Sequence, residues 1–168
     1  ALASSLSNLG LAELETGKLA EAAEHLQESL TLMEEATGPQ SLASTFPLKN
    51  LGWLALKQGD TQAATDRFQR VLKIRQALRP ADDLTIAAAH RLLAHAAQQG
   101  GDNRAATAQL LDAIRIQARV SGTDHPETRR TIRTLQSLAT PTEQTRLDEL
   151  IADARAGMRQ QVWQAISR

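Results

Sequence analysis

The sequence predicts an all-α fold in which pairs of helices repeat along the chain and stack as a solenoid. Three observations support this: a 42-residue internal repeat, apolar residues three or four apart within each repeat, and a glycine at the same point of each repeat. No segment alternates apolar and polar residues with the period of two that a half-buried strand needs. Because neither helix of a pair can bury its apolar stripe alone, neighbouring pairs are expected to stack.

The first repeat predicts two helices separated by a short turn. Apolar residues with helical spacing run from Leu2 to Glu15 and resume at Leu19, and the break between them contains Gly17. The second helix is expected to end at Gly38. The same pattern divides the chain into repeat units 1–41, 42–83 and 84–125, a partial fourth unit 126–139, and a capping helix 141–167.

The second and third units repeat the turn, with an added cap. Gly59 and Gly101 align with the glycine of the first turn, and an aspartate follows each of them. Asp60 and Asp102 are therefore expected to cap the next helix by accepting hydrogen bonds from backbone N–H groups.

Two further patterns predict where helices begin. Pro47 would break a helix interior, so this helix is expected to start late, with Ser44 as its cap and Pro47 in its first turn. The run from Thr140 to Glu143 reads as a capping box with Pro141 at the first helical position.

The composition restricts the classes of function. The 168 residues contain 19 Lys plus Arg and 19 Asp plus Glu, so no global charge attracts nucleic acid or a membrane surface. The absence of Cys excludes disulfides, thiol catalysis and thiolate metal sites. Aromatic residues make up 2%, so Ala and Leu must fill the core. The chain opens at Ala1 inside a patterned segment, and we expect it to be part of a longer protein.

The repeat resembles the tetratricopeptide repeat. In the second unit, Leu51 and Gly52 are followed at the family's spacing by Gly59, Ala64 and Phe68. The 42-residue period is similar to that of kinesin light chains, whose inter-unit loop often reads Gly-x-Asp-His-Pro, as residues 122–126 do here. The likeness covers residues 1 to about 139. It implies a right-handed α-solenoid of about three and a half units plus the capping helix, in one domain over residues 1–168.

One family position departs from the expected pattern. The aromatic residue that often follows the first glycine by three positions is Glu13, Ala55 and Ala97 in the three units. We expect the replacement of an aromatic ring by these side chains to reduce the packing at this position.

The four histidines give no catalytic or metal-binding pattern. His25 lies among glutamates and is expected to be a solvated surface residue, whereas His90 takes the place of a core leucine. His95 lies five residues further on, which is a poor spacing for joint metal ligation. His125 belongs to the family loop, where it is expected to stabilise the turn. We therefore predict no enzymatic activity, no cofactor and no metal.

The resemblance implies that the first helices line a concave groove that binds a peptide or a partner segment. The middle of this groove is aromatic and basic, which favours an extended or helical peptide with an apolar anchor near Trp53 and acidic groups near the basic residues. Core packing could also account for Trp53. The predicted partner-binding residues are Phe46, Lys49, Trp53, Lys57, Arg91, His95, Arg130 and Arg133.

Two alternatives belong to other classes of function. The C-terminal helix either covers the open end of the stack or binds a second copy through residues 158–166, which would make the chain an oligomerisation module. Nucleic-acid binding through Arg129, Arg130 and Arg133 is disfavoured by the zero net charge and the few aromatic residues. We expect a cytoplasmic protein without a membrane partner.

Overall fold

The computed structural model describes the backbone of residues 1–166 and the side chains of residues 1–157. Over these residues the structure consists of α-helices joined by short turns, with no β-strand. The helices are α1 (Leu2–Glu15), α2 (Leu19–Thr37), α3 (Thr45–Lys57), α4 (Thr61–Leu78), α5 (Leu84–Gln99), α6 (Asn103–Ser121), α7 (Pro126–Gln136) and α8 (Pro141–Ile166).

The chain divides into two compact units, residues 1–78 and residues 79–168. The first contains the pairs α1–α2 and α3–α4, and the second contains the pair α5–α6 followed by α7 and α8. The predicted helix pairs and their order are therefore present. The expectation of one domain over the whole chain stays a prediction.

The turn within each helix pair has one repeated geometry. The glycine that follows the first helix has φ of 81° at Gly17, 81° at Gly59 and 79° at Gly101. This left-handed conformation strains residues that carry a Cβ. In each turn the N–H of the residue after the glycine bonds the carbonyl five residues earlier, at 2.9 Å. This Schellman motif satisfies helix-end carbonyls, and its three copies place each second helix back along the first.

A large side chain packs over a small residue at the centre of the α3–α4 pair. Phe68 of α4 is fully buried, and a Cβ built on Gly52 of α3 would lie 2.3 Å from its ring. Gly10 and Leu26 repeat this arrangement in α1–α2, where the corresponding distance is 2.6 Å. The small residues therefore allow the two helices to approach closely in both of these pairs.

The predicted aspartate caps are confirmed. The carboxylates of Asp60 and Asp102 each accept a backbone N–H at 2.8 Å. Asp83 caps α5 in the same manner, accepting from Thr85 N at 2.7 Å. His125 caps α7 by accepting from the backbone N–H of Glu127 through its ring nitrogen at 3.3 Å. The expected stabilisation of this turn by His125 therefore takes the form of a helix cap.

The start of α3 is only partly as expected. Ser44 occupies the N-cap position and Pro47 lies in the first turn, as predicted. The Ser44 side chain makes no capping hydrogen bond, which corrects the expectation of a serine cap. Its hydroxyl instead donates to the carbonyl of Ser41 at 2.7 Å, so it stabilises the preceding loop.

His25 is partly exposed at the surface, as expected, but it also has a partner on the neighbouring helix. Its Nδ1 lies 2.7 Å from the Glu13 carboxylate of α1. This hydrogen bond, helped by the negative charges of Glu13, Glu28 and Glu24, raises the pKa of His25 above its ordinary value. The position that often carries an aromatic residue in the family thus holds Glu13, which forms a hydrogen bond with His25 between α1 and α2.

In the second compact unit, α8 packs along α6. Leu147 of α8 is fully buried in a cluster with Leu110, Ile114 and Leu135. The capping box is present, because Glu143 accepts from Thr140 N at 2.8 Å and its own N–H bonds the Thr140 hydroxyl at 3.4 Å. The first part of α8 therefore covers the cluster, as a terminal helix of a solenoid is expected to do.

We predict that Gly52→Ala destabilises the protein by about 1–3 kcal/mol, because the new methyl group overlaps the buried Phe68 ring. Urea unfolding followed by circular dichroism measures the effect. Gly157→Ala is the matched control, since this helical glycine has open space around its Cβ position and should gain up to about 1 kcal/mol. Equal effects at the two glycines would contradict the close-approach interpretation.

We also predict a pH-dependent contribution from His25. Because the folded state raises the pKa of His25, its stabilisation is complete below the unfolded value of about 6.5 and is lost as the pH rises through the folded value. His25→Gln should therefore lower the unfolding free energy at acidic pH and have little effect at alkaline pH. Glu13→Gln should have the same effect, and the double variant should lose no more than either single variant. Additive losses would contradict a direct pair.

Candidate functional site

Four predicted partner-binding residues lie along α3 in the first compact unit. Phe46, Lys49, Trp53 and Lys57 are three or four residues apart, which places them on one side of the helix. We call this set the α3 face. Phe46 is 61% exposed, Lys57 is exposed, and Lys49 and Trp53 are half-buried.

Trp53 is anchored by the core below it. Its ring meets Phe68 edge-on, with ring centroids 5.9 Å apart and planes at 69°. Aromatic rings favour this geometry because the positive edge of one ring meets the negative face of the other. The same Phe68 packs over Gly52. Packing thus accounts for one side of Trp53, and the other side reaches the surface.

Lys49 carries a positive charge in a partly desolvated position. Burial, and secondly the charge of Arg75 on α4, lower the pKa of Lys49 below its ordinary value. Its Nζ lies 5.9 Å from the centroid of the exposed Phe46 ring, within the range of a cation–π contact. No carboxylate of the described residues forms an ion pair with Lys49. An anionic group brought to this position would favour the charged form of the lysine.

The other four predicted residues lie in the second compact unit. Arg91 of α5 donates to the Glu127 carboxylate of α7 at 2.6 Å. This bond, and secondly the charge of Arg91, lower the pKa of Glu127, with a smaller contribution from Arg130. Arg91 was expected to bind an acidic group of a partner, but it is already hydrogen-bonded to the Glu127 carboxylate of the same chain.

His95, Arg130 and Arg133 differ in how far they are engaged. The Nε2 of His95 lies 3.3 Å from the Gln99 side-chain nitrogen on the same helix. Arg130 and Arg133 are exposed on α7, one turn apart. Within this compact unit, two of the predicted residues, Arg91 and Arg130, act on the same carboxylate, that of Glu127, which was not predicted.

Sequence reasoning missed two contributors to these surfaces. Arg75 acts on Lys49 from α4, and Glu127 neutralises Arg91 from α7. Arg75 lies on the second helix of its pair, whereas Glu127 lies one turn before the predicted Arg130 on α7. Glu127 directly follows the His-Pro pair of the inter-unit loop, and its place in a helix first turn was the available signal.

The remaining predictions concern metals, membranes and the C-terminal segment. Among the residues that the structure describes, no group of three or more His, Cys, Asp or Glu side chains could hold a metal ion. The described helices include none that is both long and apolar enough to cross a bilayer. His90 is buried and its Nδ1 lies 2.8 Å from the side-chain amide oxygen Oε1 of Gln109, consistent with a packed residue. The predicted self-association through side chains 158–166 lies outside the described residues.

Solved structures with a similar fold support the predicted fold class. The chain is similar to a kinesin-light-chain-like protein of Podosopora anserina with nearly identical TPR-like repeats, at 19% identity and a TM-score of 0.73. The match covers 94% of this chain and 75% of that one. A single-substitution variant of the same protein matches at 18% identity with a TM-score of 0.73, covering 94% of this chain and 74% of that chain. The predicted class of all-α helical-repeat solenoid is confirmed.

Family models give the family directly. Models of the tetratricopeptide repeat match residues 1–77 and residues 87–127, which together make up more than half of the chain. Among curated proteins, no sequence relative matches. The matched segments contain the repeated turn, the small residues of the close approach and the α3 face. The chain belongs to the tetratricopeptide repeat family.

Proposed function

We propose that this chain is a protein-interaction scaffold that binds an acidic peptide or partner segment, with the α3 face as the central contact. Tetratricopeptide repeats generally mediate protein–protein interaction, and scaffolds of this family are typically non-enzymatic. The further extension of the binding surface to Arg91, His95, Arg130 and Arg133 stays a prediction, as does a cytoplasmic location.

The observation that carries the proposal is the exposed Phe46 ring beside Lys49, whose Nζ lies 5.9 Å from the ring centroid and forms no ion pair among the described residues. A lysine that loses hydration and lies near a second cation is destabilised unless an anion compensates it. A carboxylate from a partner would supply that compensation and would regain energy that the free protein lacks. Hydrogen bonds to charged groups contribute about 1.5–3 kcal/mol, so this contact is expected to matter for affinity.

The apolar part of the face supports the same proposal. Phe46 leaves most of its ring in water, although burial of a phenyl ring would be favourable. Trp53 offers a surface whose orientation is fixed by Phe68. Because a rigid aromatic group loses little conformational entropy on binding, it makes a good anchor for an apolar side chain.

The residues of the α3 face differ in how cleanly a substitution would report on binding. Trp53 also stabilises the fold, so its removal would mix binding with stability. Phe46 is exposed and Lys49 is half-buried, and among the described residues neither makes a core ring contact like that between Trp53 and Phe68, so both can be exchanged with less effect on the core. They are therefore the better positions for a binding test.

We predict that Lys49→Gln and Phe46→Ala each weaken peptide binding about tenfold or more. The probe is an array of short peptides that combine one aromatic or aliphatic residue with carboxylates, and fluorescence anisotropy then gives Kd for the best binder. Because the carboxylate stabilises the charged lysine, affinity should be highest below the lowered pKa of Lys49 and fall as the pH rises through its value in the complex.

Matched controls use residues away from the face. Lys73→Gln removes an exposed lysine of α4, and Val120→Ala trims an exposed apolar residue of α6. Both should bind the peptide as the wild type does. Equal affinity for the wild type and the α3 variants, or absence of any acidic peptide among the binders, would refute the proposal.

A further inference from the structure

A cleft of about 970 Å³ separates part of α6 from α8 in the second compact unit. It has the size of a ligand site, yet it contains no cluster able to hold a metal among the described residues. The floor is apolar, formed mainly by Leu111 and Leu150 with the small residues Ala108 and Ala154. The rim is formed by charged side chains of the two helices.

Hydrogen bonds at both ends fix the alignment of the two helices. The Thr107 hydroxyl of α6 donates to Glu143 near the start of α8. Near the other end, Arg155 of α8 donates to the Thr123 hydroxyl, just after α6, at 3.3 Å. The two helices therefore run in the same direction, and the middle parts of their rims lie at the same level.

The two rims carry opposite charges. The α6 rim has Arg115 and Arg119 one turn apart, both exposed, and the α8 rim has Glu149 and Asp153 one turn apart, both exposed. Among the described residues no ion pair joins these rims across the cleft. Arg115 pairs instead with Asp112 of its own helix at 2.8 Å. The open cleft thus keeps complementary charges apart.

An occupant that matches this cleft needs three features. It must present an apolar strip to the floor, carboxylates to the α6 rim and a cation to the α8 rim. A helix meets the shape requirement, because it lies along the groove between two parallel helices as a neighbouring helix of a bundle does. The cleft-facing strip of α8 itself has all three features: Leu150 and Ala154, Glu149 and Asp153, and Arg146.

We propose that this cleft holds α8 of a second copy of the chain in a two-fold symmetric dimer. In a two-fold interface the same patch serves both copies, so the contact between α8 of one copy and the α6 rim of the other occurs twice. If the two α8 helices are antiparallel and cross near Leu150, Arg146 of each lies opposite Asp153 of the other. The carboxylates on the outer edge of each α8 then meet the arginines of the other copy's α6.

This proposal does not depend on the α3 face. The α3 face lies on α3 in the first compact unit, whereas the cleft is formed by α6 and α8 in the second. Loss of dimerisation can therefore be measured in a variant that still binds the peptide, and loss of peptide binding in a variant that still dimerises.

The test uses charge reversal on each rim of the full chain. Sedimentation equilibrium should show a dimer for the wild type at about 100 µM, which populates dimers of micromolar Kd. Glu149→Lys with Asp153→Lys should raise the dimer Kd at least about 100-fold, because two-fold symmetry then sets lysines against arginines twice. Arg115→Glu with Arg119→Glu should do the same by setting glutamates against the acidic edge of α8.

Mixing the two double variants is the decisive measurement. In a mixed dimer the lysines of one copy meet the glutamates of the other, and the second pair of rims meets as in the wild type. One repulsion remains between the two α8 helices, where the lysine introduced at position 153 of one copy faces Arg146 of the other, so the heterodimer should be weaker than the wild-type dimer but much tighter than either variant alone. Circular dichroism verifies that each variant is folded, and both should bind the acidic peptide as the wild type does. A wild type that is monomeric at about 100 µM, a dimer insensitive to either reversal, or folded variants that do not associate on mixing would overturn the proposal.

Discussion

The packing of one large side chain over one small residue in a helix pair is the constraint on which the rest of the structure depends. Gly52 allows Phe68 to lie against α3, and Gly10 does the same for Leu26 against α1. This contact sets how closely two helix axes approach and hence which side of the first helix is left at the surface. Phe68 also supports the Trp53 ring, so the orientation of the α3 face follows from the core below it. A change in this packing would therefore alter both stability and the candidate binding surface.

Some charged side chains of the described residues are paired within the chain, and these pairs link neighbouring elements. Arg70 of α4 bonds Glu34 of α2 and, at 2.9 Å, the carbonyl of Pro39, so it holds the loop between the two helix pairs. Arg70 and Glu34 are each about a third exposed, and ion pairs at the surface contribute about 0–1 kcal/mol, so this pair orients its side chains more than it stabilises the fold. The zero net charge of the sequence leaves no general field. At Lys49 and at the two rims of the α6–α8 cleft, a partner of opposite charge would supply local compensation.

Helix pairs, turns and caps could be predicted because they depend on local chemistry. The repeated glycine marks a left-handed turn, and Asp60 and Asp102 cap the next helix through atoms only three residues away. Side-chain pairs between helices were less predictable. Nothing local indicates that His25 meets Glu13, or that Arg91 meets Glu127 36 residues later. Local rules were not sufficient at Ser44. Its hydroxyl could accept from a backbone N–H of α3 or donate to a loop carbonyl, and it donates to the carbonyl of Ser41. The α6–α8 cleft depends on where two helices diverge, which residue spacing does not specify.

The unequal lengths of the last helices explain why such a cleft exists. The 11 residues of α7 span about 16 Å, whereas the 19 residues of α6 span about 28 Å, so α7 can cover only part of α6. The 26-residue α8 supplies further cover and is held at Thr107 by its capping-box glutamate. An end cap alone needs a buried face and a polar outer face. α8 has the buried face at Leu147, but its cleft side combines Leu150 and Ala154 with both signs of charge. That combination exceeds what covering the end of a stack requires and is typical of a surface that specifies the register of a partner helix.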